Sequence, residues 1–183
     1  MNLPNALTVG RIFLVPLLVV VLLTKFEGRL IFGVRKELVG AAIFGLASLT
    51  DFLDGYLARR RKQITTLGQL MDPLADKLLI TAALLSLVQL DLAPAWMAAV
   101  IIGREFAVTI MRGIAAGRGV AIPASPMGKF KMVAEVVAIL ALILGQDHLQ
   151  QFYVIGTVAL WVAMVAATVS GVEYYRRFMR TAV

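Results

Sequence analysis

The 183-residue chain is 60% hydrophobic, has a mean hydropathy of +0.87 and contains no cysteine. Those values lie well above the apolar share of a soluble domain and point to an all-α, polytopic membrane protein of one domain, residues 1–183; they exclude disulfide scaffolds and thiolate zinc sites. The formal net charge of +7 gathers at the edges of apolar runs, which points to membrane lipids and phosphate-bearing substrates as partners and not to nucleic acid.

Six transmembrane helices are expected. The first span runs from Pro4 to Leu23, interrupted by Arg11. Its leading segment, MNLPNALTVGR, lacks a basic n-region and a small-residue cleavage site, so this run is expected to be retained. In an alternative arrangement residues 2–10 form an N-terminal interfacial helix, capped by Asn2 or Asn5, and the crossing starts near Ile12. Residues 25–37 (KFEGRLIFGVRKE) read as a mixed-charge loop.

The second span covers Leu38 to Ala58 and the third Thr66 to Leu90, joined through the basic, polar ARRRKQITTL at 58–67. After the short DLAPA loop, span four runs from Ala95 to Ala115 and carries Arg104, Glu105 and Arg112 within apolar sequence. Span five covers Lys131 to Leu144, and the turn after it holds His148, which is expected to be solvated. Span six, Phe152 to Tyr174, leads into YYRRFMR, an aromatic and basic end typical of a membrane interface. Trp96 and Trp161 read as packing or interface anchors.

The densest chemistry lies between Asp51 and Asp76. Four aspartates, Asp51, Asp54, Asp72 and Asp76, sit close together among apolar segments. Intramembrane carboxylates are costly and would repel one another unless a cation lay between them. On helices, Asp51 and Asp54 are three apart and Asp72 and Asp76 four apart, so each pair projects from one face. Two antiparallel helices would bring the pairs to a common point. Hard oxygen ligands without His or Cys favour two divalent cations, Mg²⁺ or Mn²⁺, and a pair of ions suits phosphoryl chemistry. Gly55 and Gly68 would permit close approach of helices or ligand. Taken singly, Asp72 before Pro73 also reads as an ordinary helix N-cap.

Asp51, Asp54, Gly55, Ala58, Arg59, Gly68, Asp72 and Asp76 match the DxxDGxxAR(x8)GxxxDxxxD signature, and on these residues the chain resembles the CDP-alcohol phosphotransferase family. Within it, DPLADK at 72–77, PNALTVGR near the start and GKFK at 128–131 are most similar to members that use glycerol 3-phosphate. The resemblance implies transfer of a phosphatidyl group from CDP-diacylglycerol to glycerol 3-phosphate with release of CMP, by a homodimer in the bacterial inner (cytoplasmic) membrane. Asp51, Asp54, Asp72 and Asp76 would hold the two ions, with Asp76 also the general base on the acceptor hydroxyl. Asn5, Thr8, Gly55, Ala58, Arg59, Thr65 and Gly68 would line the nucleotide side; for Asn5 and Thr8, helix capping is the plainer alternative.

Basic residues between 104 and 131 are, by the same resemblance, expected to bind the acceptor phosphate: Arg104, Arg112, Arg118, Lys129 and Lys131. Arg104 and Arg112 are eight apart and share a helix face, and guanidinium groups can hold phosphate bidentately. The competing role is an internal ion pair with Glu105 or Glu135. With six spans, Arg59–Lys62, Arg118, Lys129 and the C-terminal arginines fall on one side, cytoplasmic by the positive-inside rule, together with the active site. The 25–37 loop, with Lys25, Arg29, Arg35 and Lys36, is the misfit. Other acceptors such as inositol phosphate or serine fit the same chemistry; a divalent cation transporter would fit four acids but would place them near mid-bilayer between broken helices.

Overall fold

Long runs of leucine, alanine and valine, broken by short segments rich in glycine, proline and aspartate, leave the backbone few ways to satisfy its hydrogen bonds except as helices joined by tight turns. In the computed structural model these runs form α1 (Leu3–Leu23), α2 (Lys36–Arg61), α3 (Thr66–Gln89), α4 (Ala95–Gly117), α5 (Pro126–Leu144) and α6 (Gln150–Thr181). The structure describes residues 3–24, 30–31, 33–61, 66–120, 122–123, 125–146 and 150–181, and of these the side chains outside 3–7, 30, 51–70, 72, 150 and 181. The all-helical expectation holds, with one small addition. Leu30–Ile31 (β1) and Val34–Arg35 (β2) pair antiparallel, turning at Gly33, whose φ of 79° suits a residue without a side chain.

Helix α1 packs on α2 and α3, α4 packs on α6, and α5 lies between α2 and α6. Leu18, Phe44, Leu79, Leu84, Ile139 and Leu142 form the buried centre common to these contacts. The α5–α6 pair is the most extensive, and glycine is the reason it can close. A Cβ at Gly156 would lie 2.8 Å from the backbone nitrogen of Leu142, so any other residue would push the helices apart.

Several boundaries differ from those expected. Helix α1 is continuous from Leu3, so there is no separate interfacial helix over 2–10 among the described residues, and Thr8 lies inside the helix, where it cannot cap it. Helix α2 begins at Lys36, two residues earlier than expected, because Lys36 is not a loop charge. It is buried and its Nζ donates to the Leu22 carbonyl at 3.1 Å, satisfying one of the open acceptors at the end of α1. Helix α5 begins five residues before Lys131: Ser125 is the N-cap, its Oγ accepting from Gly128 N at 3.1 Å, with Pro126 at the first helical position. Helix α3 starts at Thr66, so Asp72 is not an N-cap and Pro73 lies in the helix interior. His148 lies outside the described residues.

By length and apolar composition, α6 over Gln151–Arg180 could cross a membrane, with a mean hydropathy of 2.1. Helices α4 and α5 are interrupted by Arg104, Glu105 and Arg112, and by Lys129, Lys131 and Glu135. Outside, the surface is apolar on every helix: Phe13, Leu46, Leu85, Ile110, Val133 and Val158 are each more than half exposed. Trp96 and Trp161 meet edge to face, ring centroids 5.5 Å apart, tying α4 to α6 at that surface.

Candidate active site

At one end of the bundle the N-terminal part of α3, the later part of α4, the start of α5 and the last turns of α6 enclose a cavity of about 320 Å³. The sequence expectation and the structure meet here. Asp76 of α3 lines this cavity together with Arg104 and Arg112 of α4 and Lys129 and Lys131 of α5. Arg118 is the C-cap of α4 and does not line the cavity.

The cations of the wall divide into two sets. Arg104 Nη1 pairs with Glu105 Oε1 at 2.5 Å and its Nη2 donates to Ser170 Oγ at 2.8 Å; that hydroxyl in turn donates to the Ala167 carbonyl at 3.1 Å. Lys131 Nζ sits 2.7 Å from Glu105 Oε1 and 2.7 Å from Glu135 Oε2. Lys131 and Glu135 are buried, so the pair survives desolvation only because each charge faces its opposite. The chain Arg104–Glu105–Lys131–Glu135 is formally neutral. Arg104 fits its place because Gly171 of α6 offers no side chain: a Cβ there would lie 3.1 Å from Arg104 Cγ.

The second set is not tied up in that chain. Arg112 and Lys129 are exposed, and Lys77 is half-buried, its Nζ 3.4 Å from the Pro73 carbonyl. Against the carboxylate of Asp76 these three cations leave a formal excess of two positive charges on the cavity wall, matching a phosphate dianion. The Arg112 guanidinium lies over the ring of Tyr174, 5.8 Å from its centroid.

The remaining expected site residues are described only as backbone or not at all. Asp51, Asp54, Gly55, Ala58 and Arg59 lie in α2, Gly68 and Asp72 in α3 and Asn5 in α1, with side chains outside the described residues; Thr65 lies outside altogether. Thr8 is buried in α1. Helices α2 and α3 run unbroken through all four aspartate positions and pack against each other. Positions 51 and 54 are three apart and 72 and 76 four apart on these helices, so each pair lies on one helix face.

The family comparison decides what this arrangement belongs to. Residues 1–169 match the profile described as CDP-alcohol phosphatidyltransferase. This chain belongs to that family. Among its curated relatives, the CDP-diacylglycerol–glycerol-3-phosphate 3-phosphatidyltransferase of Bacillus subtilis is 46% identical over 185 residues, covering 96% of this chain and 94% of the relative. The protein of the same name from Rickettsia typhi is 36% identical over 96% of both chains. A probable phosphatidylglycerophosphate synthase of Mycobacterium tuberculosis is 38% identical over 98% of this chain and 82% of its own length. For a CDP-alcohol phosphatidyltransferase, the residues that sequence reasoning passed over are Ser125, Glu135 as a cavity group, and Tyr174. The Ser-Pro cap at 125–126 was legible; Tyr174 was hidden in an aromatic, basic tail that any membrane helix can carry.

Proposed function

We propose that this chain transfers the phosphatidyl group of CDP-diacylglycerol to glycerol 3-phosphate, giving phosphatidylglycerophosphate and CMP in phospholipid synthesis. The observation that carries this reading is the shared cavity: the last aspartate of the signature lines the same space as Arg112 and Lys129, which make no ion pair among the described residues. A general base and a phosphate anchor are the two groups that a phosphorylated alcohol must meet together to react. The relatives that match nearly the full chain are named for this donor and this acceptor.

In the mechanism that follows, Arg112 and Lys129 hold the acceptor phosphate through charge-assisted hydrogen bonds. This orients the acceptor's free primary hydroxyl toward Asp76. The Asp76 carboxylate takes the hydroxyl proton as the oxygen attacks the β-phosphorus; the bond from that phosphorus to the CMP oxygen breaks, and CMP leaves. Arg104 and Lys131, already engaged by Glu105 and Glu135, keep the wall rigid and add field more than direct contact. Arg118, at the C-cap of α4 outside the cavity, has no part in this mechanism.

Asp51, Asp54, Asp72 and Asp76 would supply an all-oxygen donor set, at helical spacings suited to two divalent ions, Mg²⁺ or Mn²⁺. Bound there, such ions would neutralise the pyrophosphate of the donor. Asn5, Thr8, Gly55, Ala58, Arg59, Thr65 and Gly68 are assigned to the nucleotide side on the family signature. Six membrane crossings, with the cavity at the cytoplasmic headgroup level, are part of the same proposal. Its support is the apolar exterior of every helix and the internal pairing of the α4 and α5 charges, which lowers the cost of placing them in hydrocarbon. A homodimer would cover part of that apolar exterior.

The test is Mg²⁺-dependent release of CMP from CDP-diacylglycerol in detergent with glycerol 3-phosphate, inositol 1-phosphate or serine as acceptor. Release with glycerol 3-phosphate alone is expected. Release with a different acceptor, or with none, would contradict the proposal.

A further inference from the structure

Phosphate and base do not exhaust the cavity. Three of its lining residues carry a buried polar atom with no hydrogen-bond partner among the described residues: Arg104 Nε, Glu135 Oε1 and the Tyr174 hydroxyl. The other polar atoms of Arg104 and Glu135 are used, on Glu105, Ser170 and Lys131. Leaving a buried polar atom unmatched is costly, so such atoms point to a missing partner.

The chemistry of the leftover atoms says what that partner is. Glu135 Oε1 is a carboxylate oxygen and only accepts; Tyr174 both donates and accepts. A phosphate oxygen would be repelled by Glu135. An alcohol is matched in kind, since a hydroxyl donates to a carboxylate and accepts from a phenol, and both residues line the one cavity. Neither group is needed for the reacting hydroxyl, which belongs at Asp76, nor for the phosphate, which belongs at Arg112 and Lys129.

We infer that Glu135 and Tyr174 form a subsite that reads the non-reacting hydroxyl of a phosphorylated polyol acceptor, the middle hydroxyl of glycerol 3-phosphate. This rests on the transferase reading above. Arg112 links the two recognition events, since its guanidinium lies over the Tyr174 ring while it lines the same cavity. Tyr174 and Glu135 are thus specificity-determining residues, selecting a polyol phosphate over a simple alcohol phosphate.

The experiment compares glycerol 3-phosphate with propane-1,3-diol monophosphate, which keeps the phosphate and a primary hydroxyl but lacks the middle one. In the wild-type protein kcat/KM for the deoxy acceptor is expected to be lower by at least about tenfold. Tyr174→Phe should lower kcat/KM for glycerol 3-phosphate roughly tenfold and leave the deoxy acceptor within about twofold, abolishing most of the discrimination. Glu135→Gln should do the same with a thermal midpoint in detergent measured alongside, so that a loss of fold is separated from a loss of recognition. Equal use of both acceptors by the wild type, or an equal loss on both acceptors in Tyr174→Phe, would overturn the inference. No CMP release with either acceptor would instead sink the transferase reading, and this inference with it.

Discussion

Two hollows of nearly equal size sit at opposite ends of the bundle, about 320 Å³ near Asp76 and about 310 Å³ near Asp91. The first is walled by five cations and three carboxylates; the second by Val88, Leu92, Pro94 and Tyr153, with Asp91 its one charged residue. Volume does not distinguish them, and neither do the helices, since α3, α4 and α6 contribute to both. What differs is which end of each helix carries charge. An apolar bundle makes hollows wherever helices splay, and only the end where charges of both signs converge can bind an anion and move a proton.

The comparison can be broken in five ways. The largest effects are expected from Asp76→Asn and from metal removal; the substitution takes from the charged hollow the carboxylate proposed as general base. The rate of CMP release should fall by about 10²–10⁴-fold, as general-base loss does, with the thermal midpoint in detergent little changed. Removal of divalent ions by a chelator should give a loss at least as large, restored by Mg²⁺ or Mn²⁺; activity that survives chelation would remove the two ions from the account.

Lys131→Met strikes the neutral chain in the wall. It leaves the half-buried Glu105 with Arg104 alone and the buried Glu135 without its cation, and losing one partner of a buried pair costs about 3–5 kcal/mol. A marked drop in thermal midpoint is expected; a stable variant with only a raised KM would mean that Lys131 contacts the acceptor after all. Arg112→Gln removes a charge-assisted contact worth about 1.5–3 kcal/mol, so kcat/KM for glycerol 3-phosphate should drop roughly 10- to 100-fold, mostly through KM. Asp91→Asn, at the opposite end, keeps a residue type that tolerates the φ of 57° found there and should leave activity within about twofold.

Much of this was legible before any coordinates. The helices followed from apolar runs and turn residues, and carboxylate spacing with the family signature singled out Asp76, which lines the charged cavity. What was not legible is informative in physical terms. Lys36 reads as a loop charge that breaks the positive-inside pattern, whereas a backbone carbonyl of α1 holds it; local sequence does not record a partner fourteen residues away. Arg104 and Lys131 look like the same kind of phosphate ligand as Arg112 and Lys129. Only three-dimensional pairing separates them, because Glu105 and Glu135 can serve the first two and not the others. Asp72 followed by Pro73 has the local composition of a helix start, but the expected beginning at Thr66 held, so the plainer capping alternative fell away.

The most direct test of the account is one titration with glycerol 3-phosphate of the wild type, Asp76→Asn and Arg112→Gln, reading both binding and turnover. If base and phosphate anchor are separate groups in one cavity, Asp76→Asn should bind the acceptor with nearly wild-type affinity while kcat collapses, and Arg112→Gln should bind weakly while kcat at saturation is largely kept. Both substitutions acting on the same parameter, or either one having no effect, would contradict the claim that this cavity joins the two.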